Sequence, residues 1–226
     1  GDWSSDVCSS DLERAVAILR AAGLKRAMVS SSDDEGTQVL ATLAPDIVIP
    51  VLRPYRTRAD LSTWVRDPGV LDYMEGRLAR FRYAGIGEFH VYGEDADLPV
   101  VRRVVEMAKA RGLFLHLHGD ADAVERVLRQ DPDARILWAH SGFDRPENVR
   151  ALLDRHANLA CDLAFRSDHA RDGKVDEAWR ALFLAHPDRF MVGTDTFTPE
   201  RWHYVETRAA WSRAWLADLP ADVAVR

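Results

Sequence analysis

Leu113-Phe114-Leu115-His116-Leu117-His118-Gly119-Asp120 decides how the chain is read. Apolar and imidazole side chains alternate through it, and a period of two is a strand. His116 and His118 therefore share one face, and Leu115 and Leu117 the other. Leucines opposite the imidazoles imply cover on both faces, as in a parallel sheet packed between layers. Imidazoles at the end of such a strand need something to bind.

The same design recurs on both sides. Gly85-Ile86-Gly87-Glu88-Phe89-His90 is a short apolar strand running into a carboxylate, Ile136-Leu137-Trp138-Ala139-His140 ends in histidine, and Phe190-Met191-Val192-Gly193-Thr194-Asp195 ends in aspartate. Four strands thus carry Glu88, His118, His140 and Asp195 at their C-terminal ends. In a parallel barrel those ends meet at one mouth, where active sites sit. Glu, His and Asp are also the usual ligands of a catalytic divalent metal.

The intervening sequence supplies the helices. Amphipathic or helix-rich stretches fall at 12–22, 37–43, 70–84, 98–110, 120–130, 146–155, 175–185 and 199–216, and further strands at 25–31, 46–52 and 158–163. Repeated strand–helix units make a parallel sheet with right-handed crossovers. Pro50 lies inside one strand and predicts a bulge. The segment 57–67, rich in arginine and containing Trp64, predicts a loop over the mouth, and 166–173 a second polar loop. The count is seven strands, with a helix first. The expected fold is α/β, a (β/α)8 TIM barrel lacking its first strand and its last helix. Gly85-x-Gly87 lacks the third glycine of a dinucleotide fingerprint, which disfavours a doubly wound sheet.

Composition narrows the function. The 226 residues are 47% hydrophobic with a net charge of -6, enough for one sizeable core. Charges of both signs are interspersed, so neither nucleic acid nor a membrane surface is an expected partner. A small-molecule substrate is, and homo-oligomerisation is left open. No apolar run approaches a membrane span, and no signal-peptide pattern is seen. Cys8 and Cys161 make neither a disulfide framework nor a cysteine zinc site, which fits a reducing compartment; the cytoplasm is the expected location. Residues 1–10 (GDWSSDVCSS) have no period and resemble a translated library junction, so they read as a non-native or disordered leader before a single incomplete barrel domain, 11–226. Ser10-x-x-Glu13 nevertheless matches a capping box.

The series Gly-Glu-Phe-His, Leu-His-Gly, Ala-His-Ser-Gly and Gly-Thr-Asp, in this order and spacing, resembles the amidohydrolase-related family of metal-dependent TIM-barrel hydrolases, from about Leu12 to Arg226. The resemblance implies Glu88 as the strand-four carboxylate, His118 and His140 as the strand-five and strand-six histidines, and Asp195 as the strand-eight aspartate. All four are then metal ligands, with Asp195 and His140 also catalytic. The family's strand-one His-x-His has no counterpart, so the chain reads as a fragment that binds metal weakly or not at all. The implied cofactor is a divalent ion, zinc first, with manganese or iron also suited to a mixed His and carboxylate set. The implied reaction is hydrolysis of an ester, lactone or amide in a small carboxylated substrate. The family also contains non-oxidative decarboxylases, and the sequence does not separate the two.

Other residues carry weaker expectations. His116 shares the face of His118 but lies deeper; it is read as a substrate-binding residue, with packing or support of a ligand as the rival reading. His90 is a substrate contact. Arg53, Tyr55 and Arg166 follow strand ends and could grip a substrate carboxylate through a bidentate pair. His203, beside Trp202, is expected at the mouth. His156, His169 and His186 read as surface or turn residues, and Asp162 is ambiguous.

Overall fold

The computed structural model describes residues 9–225. Seven strands form one all-parallel sheet: β1 (Ala27–Val29), β2 (Val48–Leu52), β3 (Gly85–His90), β4 (Phe114–His118), β5 (Ile136–Trp138), β6 (Leu159–Asp162) and β9 (Phe190–Met191). Each lies beside its predecessor in the chain. That order gives a sheet wound in one direction, the barrel topology, rather than one with a switch point. Among the described residues β1 and β9 do not pair, so the sheet is a curled, incomplete barrel. A short antiparallel hairpin, β7 (Ala170–Arg171) with β8 (Lys174–Val175), sits outside it; β7 lies in the stretch read as a polar loop, and β8 runs past it to the first residue of the helix read over 175–185.

The helices form where the sequence provides faces and stops. In α4 (Pro99–Arg111) proline opens the first turn, where its missing N–H costs nothing, and Gly112 closes the last in the left-handed conformation. In α5 (Ala121–Gln130) the Asp120 carboxylate caps the Ala123 amide at 2.8 Å. With α3 (Gly69–Arg80), α6 (Pro146–Arg155) and α7 (Glu177–Ala185), they cover a core that includes Ile86, Phe89, Leu115, Leu117, Ile136 and Trp138. The β4 alternation holds: Leu115 and Leu117 are buried in that core, and the histidines between them line a cavity inside the sheet.

A second, smaller core lies at the seam. Leu12, Ala15, Leu19 and Ala22 of α1 (Ser9–Ala21) pack with Leu40 of α2 (Glu35–Leu43) and with Val205 and Ala209 of α8 (Val205–Leu216). Arg213 donates to the carbonyl of Ala22, tying α8 to the end of α1.

Several expectations change here. α1 begins at Ser9, inside the proposed leader; residues 1–8, with Cys8, lie outside the described residues. Pro50 needs no bulge. Its neighbours pair in unbroken register with β1, and its carbonyl accepts the Ala84 amide on the β3 side, before the β3 ladder begins at Gly85. The missing N–H therefore falls where no partner strand has started. The bulge is in β3 instead, between Gly87 and Phe89. The segment after β2 forms two 3-10 turns, Arg58–Ser62 and Trp64–Arg66, and buries Trp64. The stretch read as a helix over 199–216 begins with a 3-10 turn, Pro199–Tyr204, before α8; a short helix, α9 (Ala221–Ala224), follows. His169, read as a surface or turn residue, is buried among Trp179, Phe183, Trp211 and Trp215. Among the described residues no helix is long and apolar enough to cross a membrane.

Candidate metal centre

The β3 bulge builds the centre of the mouth. Gly87 pairs with His116 and Phe89 with Leu117, which leaves Glu88 as the extra, unpaired residue; His90 then pairs with His118. A bulge of this kind re-aims a side chain without ending the strand. The backbone can turn there because residue 87 is glycine. Its φ is +139°, and a Cβ would stand 2.2 Å from the carbonyl oxygen of His116.

Three side chains converge as a result. Glu88, His90 and His118 each bring one potential ligand atom to within 4.8 Å of the others. Glu88 Oε1 lies 2.6 Å from His118 Nδ1 and 3.4 Å from His140 Nε2. The rings of His90 and His118 stack with centroids 4.1 Å apart. Burial disfavours the Glu88 carboxylate. The hydrogen bonds from His118 and His140, with the charges of His116 and Arg53, outweigh it and hold Glu88 well below the usual carboxylate range. One carboxylate and two imidazoles, all partly buried at the end of parallel strands, are a donor set that suits a divalent transition metal.

His140 arrives by a different route. β5 ends at Trp138, and His140, Ser141, Gly142 and Phe143 follow in left-handed conformation, with φ of 55°, 49°, 61° and 53°. L-residues avoid that region at a cost of roughly 1–2 kcal/mol each, so the turn must be held from outside. Asp162, at the end of β6, accepts from the His140 amide at 2.9 Å, from the Ala164 amide at 2.9 Å and from His116 Nε2 at 2.9 Å. Ser141 Oγ donates to the Asp162 carbonyl. His140 Nδ1 donates to the Ala164 carbonyl at 2.7 Å, which leaves Nε2 facing Glu88. Burial opposes a charge on His140, but the Glu88 hydrogen bond and the charges of Asp162, Glu88 and Asp195 raise it to about 9.

Arg166 completes this brace. It donates to the carbonyls of His140 and Asp144, pairs with Asp168 through both Nε and Nη2, and lies over the Trp179 ring. It is buried and does not line the cavity, so the expected substrate fork is not presented to a ligand. His203 is exposed and likewise does not line the cavity, although Trp202 beside it in the same 3-10 turn does. His116 supports from below, bonded to Asp162.

The remaining expected residues line the cavity, whose volume is about 1060 Å³ and which reaches from Glu88 to the seam between β1 and β9. Asp195 lies four residues past the end of β9, half-buried, with φ of 50°. Burial and the charge of Glu88 raise its carboxyl above the ordinary range, against the pull of His140 and Arg201. Arg53 donates from Nε to the Glu88 carbonyl at 2.9 Å and stacks on Tyr55. Its terminal amino groups make no hydrogen bond among the described residues. Tyr55 pairs with His90 through both the backbone amide and Nδ1. Phe143, Phe165 and Phe197, all exposed, form a wall of rings from His140 outward.

Sequence reasoning undervalued Asp162 and the Tyr55–His90 pair. Asp162 carried a usable signal: it follows an apolar run, Leu159-Ala160-Cys161, as Glu88 and Asp195 follow theirs in the sequence.

Comparison with known proteins agrees with this architecture. The profile of the family described as amidohydrolase matches residues 44–225. Among curated proteins no sequence matches. An uncharacterised TIM-barrel protein of Bordetella bronchiseptica is similar in structure, with a TM-score of 0.59 at 15% identity, over 94% of this chain and 77% of that one. A zinc-bound amidohydrolase of Burkholderia multivorans gives 0.50 at 17% identity, covering 95% of this chain and 86% of its own. A dihydroorotase gives 0.52 at 13% identity, covering 92% and 64% respectively. At such identities these likenesses speak for the fold, and the profile match over most of the chain speaks for descent: the chain belongs to the amidohydrolase family and is an amidohydrolase-like enzyme.

Proposed function

We propose that the protein is a metal-dependent hydrolase that cleaves an ester, lactone or amide bond in a small carboxylated substrate. The observation that carries this is the convergence of Glu88, His90 and His118 donor atoms within 4.8 Å, in a cavity at the C-terminal ends of parallel strands. Glu88 and His118 would hold the ion, zinc first by its donor preferences, with His140 Nε2 beside Glu88 and Asp195 lining the same cavity. When bound, such an ion lowers the pKa of a coordinated water from near 16 to about 7 and polarises a carbonyl.

The chain's own residues do the rest. Asp195, its carboxyl raised by burial and by Glu88, takes the proton of the attacking water and returns it to the leaving group. His140 faces the site with Nε2 and donates a hydrogen bond to the oxygen that gains charge. Arg53, anchored at Nε and open at its two amino groups, binds the substrate carboxylate as a fork. Phe143 and Phe165 set aromatic rings against the outer side of His140, an apolar face for substrate.

The test is a panel of lactones, aryl esters and amides bearing a carboxylate, assayed with zinc or manganese and after chelation. Hydrolysis should require metal, and Asp195→Asn should lower kcat by roughly 10²–10⁴-fold while metal content stays unchanged. Release of CO2 rather than acid or alcohol from the panel would overturn the hydrolytic reading, as would full activity in Asp195→Asn.

A further inference from the structure

We infer that His90 is a third protein ligand of the metal, and that Tyr55 is the positioning residue that presents its Nε2. The inference rests on the metal-dependent reading above and adds to it a ligand drawn from the same strand as Glu88. A contact between His90 and substrate, the alternative, is an outcome of the test.

Three observations converge on it. The β3 bulge is the first. By removing Glu88 from the ladder it lets Glu88 and His90 approach one point while His90 stays in register with His118. Without the bulge, a regular two-residue spacing would hold the two side chains nearly 7 Å apart along the strand.

Donor distances are the second. The ligand atoms of Glu88, His90 and His118 lie within 4.8 Å of one another. Zinc bonds of about 2.0–2.1 Å put tetrahedral ligand atoms about 3.3 Å apart. Closing on an ion therefore needs about an ångström or so of side-chain movement, within reach of rotation about χ2 with the backbone fixed.

The third is the bond to Tyr55. Its hydroxyl is buried and lies 2.8 Å from the His90 backbone nitrogen and 2.9 Å from His90 Nδ1. A backbone amide only donates, so the phenol oxygen accepts there. When it also accepts from Nδ1–H, the Nε2 lone pair is bare, and Nε2 has no hydrogen-bond partner among the described residues. An imidazole held at one nitrogen and bare at the other is how proteins orient a metal-binding histidine. Trp64 fixes the same residue from a third side, donating from Nε1 to the His90 carbonyl at 2.8 Å. The residue is thus held at its amide, its carbonyl and one ring nitrogen, and it lines the cavity.

The experiment measures metal binding directly, without substrate. Metal-stripped wild-type, His90→Gln, Tyr55→Phe and Glu88→Gln proteins are titrated with Zn²⁺ by calorimetry and with Co²⁺ by visible absorption, after circular dichroism has verified the fold. Against the weak or absent binding expected from the missing strand-one His-x-His, wild-type protein should bind one ion, because Glu88, His90 and His118 bring their donor atoms together. His90→Gln should weaken it by about 100-fold and remove one imidazole from the zinc-edge absorption fine structure. Tyr55→Phe should weaken binding 10–100-fold with the imidazole count kept. A readout on unaltered protein guards against misfolded variants: in the cobalt-loaded wild type, His90 Nδ1–H should give a hyperfine-shifted proton resonance. An unshifted His90 ring proton, or wild-type affinity and imidazole count in His90→Gln while Glu88→Gln loses the ion, would overturn the inference and leave the metal-dependent reading standing. Failure of the wild-type protein to take up either ion stoichiometrically would overturn both.

Discussion

The two sides of the mouth are built differently. On one side β3 and β4 run six and five residues, with Ile86, Phe89, Leu115 and Leu117 no more than 1% exposed behind them. On the other, β9 is two residues long, and Met191 and Val192 are 44% and 47% exposed beside the seam. Glu88, His90 and His118 stand on the first side, and Asp195 on the second. The groups proposed to grip an ion are backed by dense packing. Asp195, the carboxylate proposed to move a proton, is held by burial, by the neighbouring charges and by the Arg201 bond to its carbonyl. Dense packing is concentrated where the proposed ligand distances would demand rigidity.

Stability measurements should expose that asymmetry. Leu115→Ala removes a side chain from the packed sector and should cost about 2–5 kcal/mol in urea unfolding, as large cavities in cores do. Val192→Ala, at the seam, should stay within about 0.5 kcal/mol. Equal losses at the two positions would erase the contrast.

pH separates the sectors next. In the metal-free protein His140 is raised to about 9 from an unfolded value near 6.5. Its contribution is complete below about pH 6.5 and is lost as pH climbs through 9, a change of roughly 3 kcal/mol. Two buried histidines act in the opposite sense. His90 is lowered to about 4 by burial and by His118, and His169, away from the mouth, is lowered to about 4 by burial. Their contributions are complete above about pH 6.5 and are lost as pH falls through 4. The urea midpoint of the metal-free protein should therefore peak between these limits. His140→Gln should flatten the alkaline limb alone, and His169→Phe should flatten only the acid one.

A smaller effect probes the turn that carries His140. Trp138 donates from Nε1 to the Gly119 carbonyl at 2.8 Å, and its ring leaves room for glycine alone at position 142. Trp138→Phe strands a buried carbonyl and should cost about 1–3 kcal/mol, with kcat reduced more than KM because His140 loses its backing. A stability loss with unchanged kcat would detach that turn from catalysis.

How much of this was legible beforehand follows the range of each interaction. Alternation in Leu115-His116-Leu117-His118 fixed a strand and both its faces, and the polar tips at Glu88, His118 and His140 marked the mouth, because strand direction alone brings them together. The bulge at Glu88 was invisible: it depends on the register between β3 and β4, a long-range fact, with Gly87 as its only local trace. Arg166 misled because charge at a strand end says nothing about its partners. Those partners are Asp168 beside it and two carbonyls from the β5 turn. His169 misled in the same way, since its aromatic surroundings come from two separate helices, α7 nearby and α8 far along the chain. Pro50 was read as a defect because its effect depends on where the neighbouring strand begins.

The most direct test of the central claim is anomalous diffraction at the zinc edge from crystals of the zinc-loaded protein. The account predicts one peak at the mouth, about 2.0–2.2 Å from a Glu88 oxygen and about 2.0–2.1 Å from ring nitrogens of His118 and His90. A peak bound elsewhere, or none beside Glu88 in protein that carries zinc by elemental analysis, would contradict it.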